Sequence, residues 1–131
     1  MATIFSRIVA GEIPARVVAE TEDYLAFLDV RPMVTGHTLC IPKREVDYYF
    51  DLEDAEMAGL TLFAKRVARA VEAVVPCERI ATMVLGLEVP HAHLHLLPVR
   101  NERDFWQRPG TDLDDAGLDK LAEQIAAAYE G

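Results

Sequence analysis

The most informative stretch of this sequence is His91-Ala92-His93-Leu94-His95-Leu96-Leu97-Pro98. It holds three of the four histidines of the chain, and only Ala or Leu stands between them. This alternation predicts a half-buried β-strand, because a period of two places every second side chain on one face. The three imidazoles would then share that face, with neighbouring rings about 7 Å apart at a rise of roughly 3.3 Å per residue.

Length and composition predict one ordinary domain over residues 1–131. A chain of this size can bury a core without a disulfide or a structural metal. Cys40 and Cys77 lack the C-x-x-C spacing of zinc and redox sites, so we expect two buried or partly buried thiols. This cysteine usage, with no signal-like segment and no run of 18 apolar residues, predicts a soluble cytoplasmic protein.

The charge of the chain argues against some classes of partner. Its formal net charge is −9, from 22 acidic residues against 13 lysines and arginines. Nucleic-acid backbones and anionic lipid surfaces both reward clustered basic residues, so we expect no nucleic acid and no membrane among the partners. A small anionic ligand stays compatible, because one pocket can be locally positive or polar within an acidic protein.

The N-terminal part carries the signals of a short helix and three strands. Residues Ile4–Ala10 place apolar side chains on one helical stripe, which Gly11 ends. The β-branched and aromatic residues of Arg16–Glu20 and Tyr24–Leu28 flank a polar turn and predict a hairpin. His37–Pro42 predicts a third strand, which its proline ends.

A long helix is predicted next, followed by a fourth strand. We expect Asp51 to be the N-cap of this helix, with acidic residues in the first turn where the helix dipole favours them. Arg79–Leu87 is apolar enough to predict the fourth strand. The helix would pack on the sheet through six apolar residues that recur at intervals of three or four, namely Met57, Leu60, Ala64, Val67, Val71 and Val74.

The segment after the histidine row combines an irregular part with a helix. Asn101–Gly110 is polar, but Phe105 and Trp106 within it predict that part of this tail docks on another surface. A C-terminal helix is predicted by apolar residues at helical spacing behind an acidic cluster, namely Leu118, Leu121, Ile125 and Tyr129. Strands in hairpin order with one long inserted helix predict an α+β domain on a largely antiparallel sheet of about five strands.

Three hypotheses account for the histidine row. In the first, the rings are partly buried structural residues, each of which needs its own hydrogen-bond partners. In the second, the row binds Zn²⁺ or Fe²⁺ with His37 as a remote ligand, although no carboxylate follows closely after His95. In the third, one imidazole attacks phosphorus, since a neutral ring keeps a lone pair when its other nitrogen donates to a fixed acceptor.

The row resembles the signature of the histidine triad (HIT) proteins, His-φ-His-φ-His-φ-φ with φ apolar. Residues 91–97 fit that signature at every position. Three further segments are similar in order and spacing to the Hint-like nucleotide-binding branch of the family: Ile4–Ala15, Ala26–Pro32 and Gly36–Lys43. The resemblance covers about residues 4–98, and the tail and helix of residues 99–131 are compatible with it. It implies a HIT-like fold.

The resemblance also implies a role for each matching residue. His93 matches the family's nucleophile, oriented by the main-chain carbonyl of His91. His91 and His95 match residues that arrange the phosphate and the local hydrogen bonds, and His37 matches a further active-site histidine. Asp29 matches the carboxylate that accepts hydrogen bonds from the ribose hydroxyls. Five apolar residues match the walls of a purine pocket, with core packing as the alternative: Phe5, Ile8, Phe27, Val30 and Leu39.

The activity implied by the resemblance is that of a nucleoside phosphoramidase or nucleotide hydrolase. It would release a nucleoside 5′-monophosphate, such as AMP or GMP, through a nucleotidyl-His93 intermediate, and it would need no metal or other cofactor. The expected partners are a purine nucleotide or nucleotide conjugate and a second copy of the chain in a homodimer. The tail with Trp106 would reach towards the active site of that second copy.

One departure from the family pattern keeps an alternative open. Leu87 and Glu88 stand where many relatives have a side-chain amide and a hydroxyl near the leaving group. The alternative is therefore a regulatory protein that binds purine nucleotides with negligible turnover. A metal-binding His-x-His protein is the third possibility.

Overall fold

The structure is a computed structural model, and it describes residues 2–131. Within that range, five strands form one antiparallel sheet in the order β1-β2-β3-β5-β4. The strands are β1 (Val17–Glu20), β2 (Tyr24–Leu28), β3 (Thr38–Pro42), β4 (Arg79–Met83) and β5 (Leu94–Val99). The helices are α1 (Ile4–Val9), α2 (Asp54–Val74), α3 (Glu102–Gln107) and α4 (Asp115–Ala128). The predicted α+β fold is confirmed, and α1, β1, β2 and β3 lie within one residue of their predicted bounds.

The register of the strands gives the sheet two different faces. Leu39 in β3 lies opposite both Phe27 in β2 and His95 in β5, so these three side chains share one face. Cys40, the next residue along, lies opposite Leu94 and points to the other face. Helices α2 and α4 cover that second face and enclose the largest core cluster. The histidines lie on the first face.

The start of α2 differs from the prediction. Its N-cap is Glu53, so the assignment of Asp51 is wrong. Asp51 ends a 3₁₀ turn, and the buried Leu52 then takes an extended conformation that separates this turn from the helix. The N–H of Glu53 donates to the carboxylate of Glu56, as in a capping box. All six predicted stripe residues pack in the core, and four are fully buried: Leu60, Ala64, Val67 and Val71.

The fourth strand is shorter than predicted. β4 ends at Met83 rather than at Leu87. Met83 lies opposite His95, and the pairing with β5 stops there. Beyond it the chain is irregular, and Leu85 and Leu87 are 58% and 84% exposed. β4 is also an edge strand, since it pairs only with β5.

The histidine row is a strand only in its second half. β5 begins at Leu94, so the prediction of a strand over residues 91–98 is wrong for residues 91–93. The ladder with β3 ends at Leu94, and the N–H of Ala92 donates instead to the carbonyl oxygen of Val46 at 2.7 Å. The alternation of faces nevertheless persists, because Ala92 and Leu94 are buried in the core under α2. The imidazoles therefore still lie on the opposite face.

The tail contains a short helix that the sequence did not predict. Asn101 caps α3 by accepting a hydrogen bond from the N–H of Asp104. Phe105 packs against a small core cluster, as expected for a docked tail, whereas Trp106 is 75% exposed. Cys40 and Cys77 are free thiols, buried and half-buried. No helix of residues 2–131 has the length and apolar character to cross a membrane.

Candidate active site

The structure brings all four histidines together on one face of the sheet. The ring centroids of His93 and His95 are 4.9 Å apart, and those of His37 and His95 are 5.1 Å apart. The predicted spacing of about 7 Å along a regular strand is too long for the first pair, because the backbone leaves the ladder before Leu94. His37, His91 and His93 are each at most 6% exposed, and His95 is half-buried.

The main chain fixes the tautomer of His93. Its Nδ1 lies 2.7 Å from the carbonyl oxygen of His91. A carbonyl oxygen only accepts, so we assign the ring proton of neutral His93 to Nδ1. The lone pair is then on Nε2, which is the arrangement a nucleophilic imidazole needs. The expected orientation of His93 by the His91 carbonyl is present in the structure.

His91 is held in the opposite tautomer. Its Nε2 lies 2.8 Å from the carbonyl oxygen of Pro42, so this nitrogen carries the proton. Its Nδ1 accepts from the hydroxyl of Thr3 at 3.1 Å. Burial lowers the pKa of His91, and the Pro42 carbonyl and the Glu45 carboxylate oppose that shift. His91 is therefore a fixed support that presents its carbonyl oxygen to His93.

A polar cluster beneath α1 supports His91, and sequence reasoning missed it. The Glu45 carboxylate accepts from the hydroxyl of Ser6 at 2.7 Å and from the N–H of Thr3 at 2.9 Å. The hydrogen bond from Ser6 is the main reason that the pKa of Glu45 is lowered. Phe5 lies in sequence between Thr3, which is the N-cap of α1, and Ser6, and its ring packs edge-on against the His93 ring with centroids 5.0 Å apart. The cluster thus connects α1 to the surroundings of His91 and His93.

The pair of His37 and His95 forms a second chain of hydrogen bonds. The N–H of Met33 donates to Nδ1 of His37 at 3.0 Å, so the His37 proton is on Nε2. That nitrogen lies 2.8 Å from Nδ1 of His95, which places the His95 proton on its own Nε2. Burial is the main cause that lowers the pKa of both rings to about 4. Both are neutral near pH 7, and His95 ends the chain as a donor.

Asp29 lies next to this second chain. Its Oδ2 is 3.6 Å from Nε2 of His37, and its Oδ1 accepts from the N–H of Arg31 at 2.9 Å. The predicted carboxylate is therefore beside the histidines, half-buried and able to accept further hydrogen bonds. Its assignment to ribose hydroxyls stays a prediction.

The five apolar residues assigned to a purine pocket do not share one environment. Phe5, Phe27 and Leu39 are buried in one cluster, and Ile8 is half-buried against it. Val30 is 73% exposed. Core packing therefore explains the first four positions in part, and their contact with a base stays a prediction. Val30 lies on the surface beside Asp29.

Asp29, His37 and His95 form a group of side chains that could hold a metal ion. Their ligand atoms all lie within 4.8 Å of one another. A metal on Nε2 of His37 would have to displace the proton that this nitrogen carries. That proton would move to Nδ1, where the N–H of Met33 already points at 3.0 Å. The hydrogen-bond pattern therefore favours a proton-bearing pair over a metal site.

The comparisons with known proteins identify the family. The family model for the HIT domain matches residues 10–102. The chain belongs to the HIT family. An uncharacterized HIT-like protein of Methanocaldococcus jannaschii is 38% identical over 129 residues, covering 93% of this chain and 97% of that protein. The resemblance seen in the histidine motif is confirmed.

Two further HIT proteins resemble the whole chain. The adenosine 5′-monophosphoramidase HNT1 of Saccharomyces cerevisiae is 34% identical over 135 residues, covering 99% of this chain and 84% of HNT1. A zinc-bound histidine triad family protein from Mycobacterium smegmatis has a solved structure with a TM-score of 0.82 and 29% identity. The likeness covers 98% of this chain and 93% of that one.

Proposed function

We propose that this HIT protein is a hydrolase or transferase that cleaves a purine nucleoside 5′-monophosphate from a leaving group through a nucleotidyl-His93 intermediate. The observation that carries the proposal is the hydrogen bond from Nδ1 of His93 to the His91 carbonyl, which leaves Nε2 free. The activity named for HNT1 supports a nucleoside phosphoramidate as the substrate class.

The proposed reaction has two displacements at phosphorus. In the first, the lone pair on Nε2 of His93 forms a bond to the α-phosphorus, and the bond to the leaving group breaks with its electron pair. The leaving group takes up a proton from solvent. The phosphorylated ring is cationic, and the His91 carbonyl stabilises it through the hydrogen bond at Nδ1. Water then attacks the same phosphorus, and the bond from phosphorus to Nε2 breaks with its electron pair on the ring. The proton lost by the water passes to solvent, and the products are the nucleotide and the neutral ring.

His95 and Asp29 would bind the substrate around that centre. The N–H on Nε2 of His95 is preorganised to donate to a phosphoryl oxygen, since His37 holds its tautomer. Asp29 would accept from the ribose, and the apolar cluster containing Phe5 and Phe27 would contact the base. No step of this scheme needs a metal ion.

A homodimer is part of the proposal. β4 is an edge strand with free backbone groups, and the exposed Leu85 and Leu87 follow it. On the same side, a groove of about 470 Å³ lies between this edge and α3, and the exposed Trp106 forms part of its wall. We propose that a second copy covers these apolar groups. Light scattering after size exclusion should then give the mass of a dimer.

Removal of the nucleophile tests the proposed activity. His93→Ala should abolish release of AMP from an adenosine 5′-phosphoramidate, because in the other three described histidines the lone pair of the ring accepts a hydrogen bond within the protein. AMP binding should stay within a few-fold, which also shows that the variant is folded. Turnover by His93→Ala at the unmodified rate would contradict the mechanism.

A regulatory nucleotide-binding protein is the second candidate. The exposed segment with Leu87 and Glu88 offers no amide or hydroxyl side chain that could assist a leaving group. If this candidate is right, the protein binds AMP and forms no covalent adduct. Negligible turnover of phosphoramidates by the unmodified protein would favour it.

A further inference from the structure

The proposed phosphate site contains no positive charge of its own. His37 and His95 are neutral near pH 7, and the tautomer of His93 needed for attack is neutral as well. Asp29 adds a carboxylate 3.6 Å from His37, in a chain whose net charge is −9. A phosphoryl group is anionic, and charged donors bind it about twice as strongly as neutral ones. A cation near these rings would therefore strengthen the binding of a phosphoryl group.

The segment of residues 108–111 is attached to the loop that orients His37. The N–H of Gly110 donates to the carbonyl oxygen of Met33 at 2.8 Å, and Gly110 forms a bridge with Val34. The hydroxyls of Thr35 and Thr111 lie 2.7 Å apart. Met33 is also the residue whose N–H fixes the tautomer of His37. The tail is thus fastened to the same loop that builds one side of the site.

Arg108 is the first residue of that segment and has an unusual backbone. It is the C-cap of α3 with φ of 49° and ψ of 65°, a left-handed conformation that residues other than glycine rarely adopt. The turn at Arg108 redirects the chain from α3 towards the pairing of Gly110 with Met33 and Val34. Its position is therefore set by α3 on one side and by the His37 loop on the other.

The charge of Arg108 acts on the site. It is the smallest of the causes that lower the pKa of His37 and of His95, after burial and the neighbouring histidines, and on His95 the Asp29 carboxylate has a larger, opposite effect. Among the described lysines and arginines, Arg108 alone has this effect on both rings. The side chain is exposed and makes no ion pair with a described carboxylate, so its guanidinium is available to a ligand.

We propose that Arg108 binds the phosphoryl oxygens of the substrate's α-phosphate, together with the N–H on Nε2 of His95. The inference rests on the proposed function, because it takes a nucleotide phosphate as the ligand. Arg108 supplies the charge that the histidines lack, and the tail thereby becomes part of the phosphate-binding site. The chemistry recognised is a phosphate monoester or phosphoramidate on a nucleoside, not the nucleoside itself.

Binding of AMP and of adenosine separates a phosphate contact from a general structural effect. Arg108→Gln should weaken AMP binding by about tenfold, since a hydrogen bond to a charged group is lost. Adenosine has no phosphate, so its affinity should not change. Arg103→Gln is the matched control, because Arg103 is an exposed arginine on α3. It should leave both affinities within twofold.

Two further variants distinguish the charge from the backbone. Arg108→Lys keeps the charge and should retain most of the AMP affinity. Arg108→Gly suits the left-handed conformation but removes the guanidinium, so it should be as weak as Arg108→Gln. AMP binding by Arg108→Gly at the unmodified level, or equal loss of AMP and adenosine binding in Arg108→Gln, would overturn the proposal.

The outcome for Arg108 is independent of the outcome for catalysis. Where the unmodified protein turns over phosphoramidates but Arg108→Gln behaves like Arg103→Gln, the Arg108 assignment fails and the proposed function stands. Where the unmodified protein binds AMP without turnover and Arg108→Gln loses only AMP affinity, the catalytic proposal fails and the phosphate contact stands.

Discussion

The two pairs of histidines are held by opposite kinds of main-chain group. His91 and His93 each donate to a carbonyl oxygen, through Nε2 and Nδ1 respectively. His37 instead accepts from a backbone N–H at Nδ1 and donates the N–H on its Nε2 to Nδ1 of His95. One pair therefore ends in a free lone pair on His93, and the other ends in a proton donor on His95. The proposed division between a nucleophile, His93, and a phosphate donor, His95, follows from which backbone group each ring contacts.

The two pairs also differ in their supports. The first pair depends on α1 and Glu45, which lie at the surface. The second pair depends on the Met33 loop, which is packed against the tail and β5. Because the second support is more deeply buried, we expect substitutions there to lower the activity more than substitutions in the Glu45 cluster.

After loss of His93 itself, removal of the donor in the second pair should have the largest effect. His95→Ala deletes the N–H that we assign to the phosphoryl group, so kcat/KM for an adenosine phosphoramidate should fall by about 10²–10³-fold. Steady-state kinetics measure this, with the unchanged melting temperature of the variant as the control. A fall of less than threefold would show that His95 does not contact the reacting phosphate.

Loss of His37 should have an intermediate effect on catalysis and should change how the free energy of unfolding depends on pH. His37→Gln no longer fixes the His95 tautomer, and kcat should fall by about tenfold with little change in KM. In the folded, unmodified protein the His37 ring stays neutral down to about pH 4, whereas in the unfolded chain the same side chain has a pKa of about 6.5. Between these values the unfolded chain binds more protons, so the free energy of unfolding falls as the pH drops.

Denaturant unfolding of both proteins at several pH values measures that linkage. Between pH 6.5 and pH 4, the unmodified protein should lose about 1–3 kcal/mol more than His37→Gln. Comparing the two proteins cancels the acidic residues that titrate in the same range. Parallel curves would mean that His37 is not buried in its neutral form.

The Glu45 cluster should show the smallest effect. Glu45→Ala removes the acceptor for Ser6 and Thr3, and kcat should fall by about two- to fivefold through looser support of His91. Glu45→Gln keeps an acceptor oxygen and should recover most of the activity. Glu123→Ala, an exposed position on α4, is the control and should have no effect. If Glu45→Ala matches that control, α1 does not act on the nucleophile.

The sequence predicted those features that depend on local pattern. The period of two placed the imidazoles on one face, because Ala92 and Leu94 need burial under α2. Local pattern could not show where β5 begins, since that depends on a bond between Ala92 and the distant Val46. The capping signal at Asp51 was misleading, because Leu52 is drawn into the core and interrupts the helix there.

The sequence predicted the histidine motif of the site but not the residues around it that support the histidines. The motif and its resemblance indicated the four histidines and Asp29, which the structure brings together. Glu45 and Arg108 carry no signature of their own. Glu45 is placed beside His91, and the proposed contact of Arg108 is made possible, by contacts between segments far apart in sequence, such as Thr3 with His91 and Met33 with Gly110. Only the folded chain shows such contacts.

The most direct test of His93 as the nucleophile is to trap the intermediate. The protein is mixed with an adenosine 5′-phosphoramidate, quenched at short times and digested for peptide mass spectrometry. We expect an adenylyl group on His93 that appears within the first turnover and decays as AMP is released. Turnover without an adduct, or an adduct that forms on His91 or His95 instead, would contradict the assignment of His93 as the nucleophile.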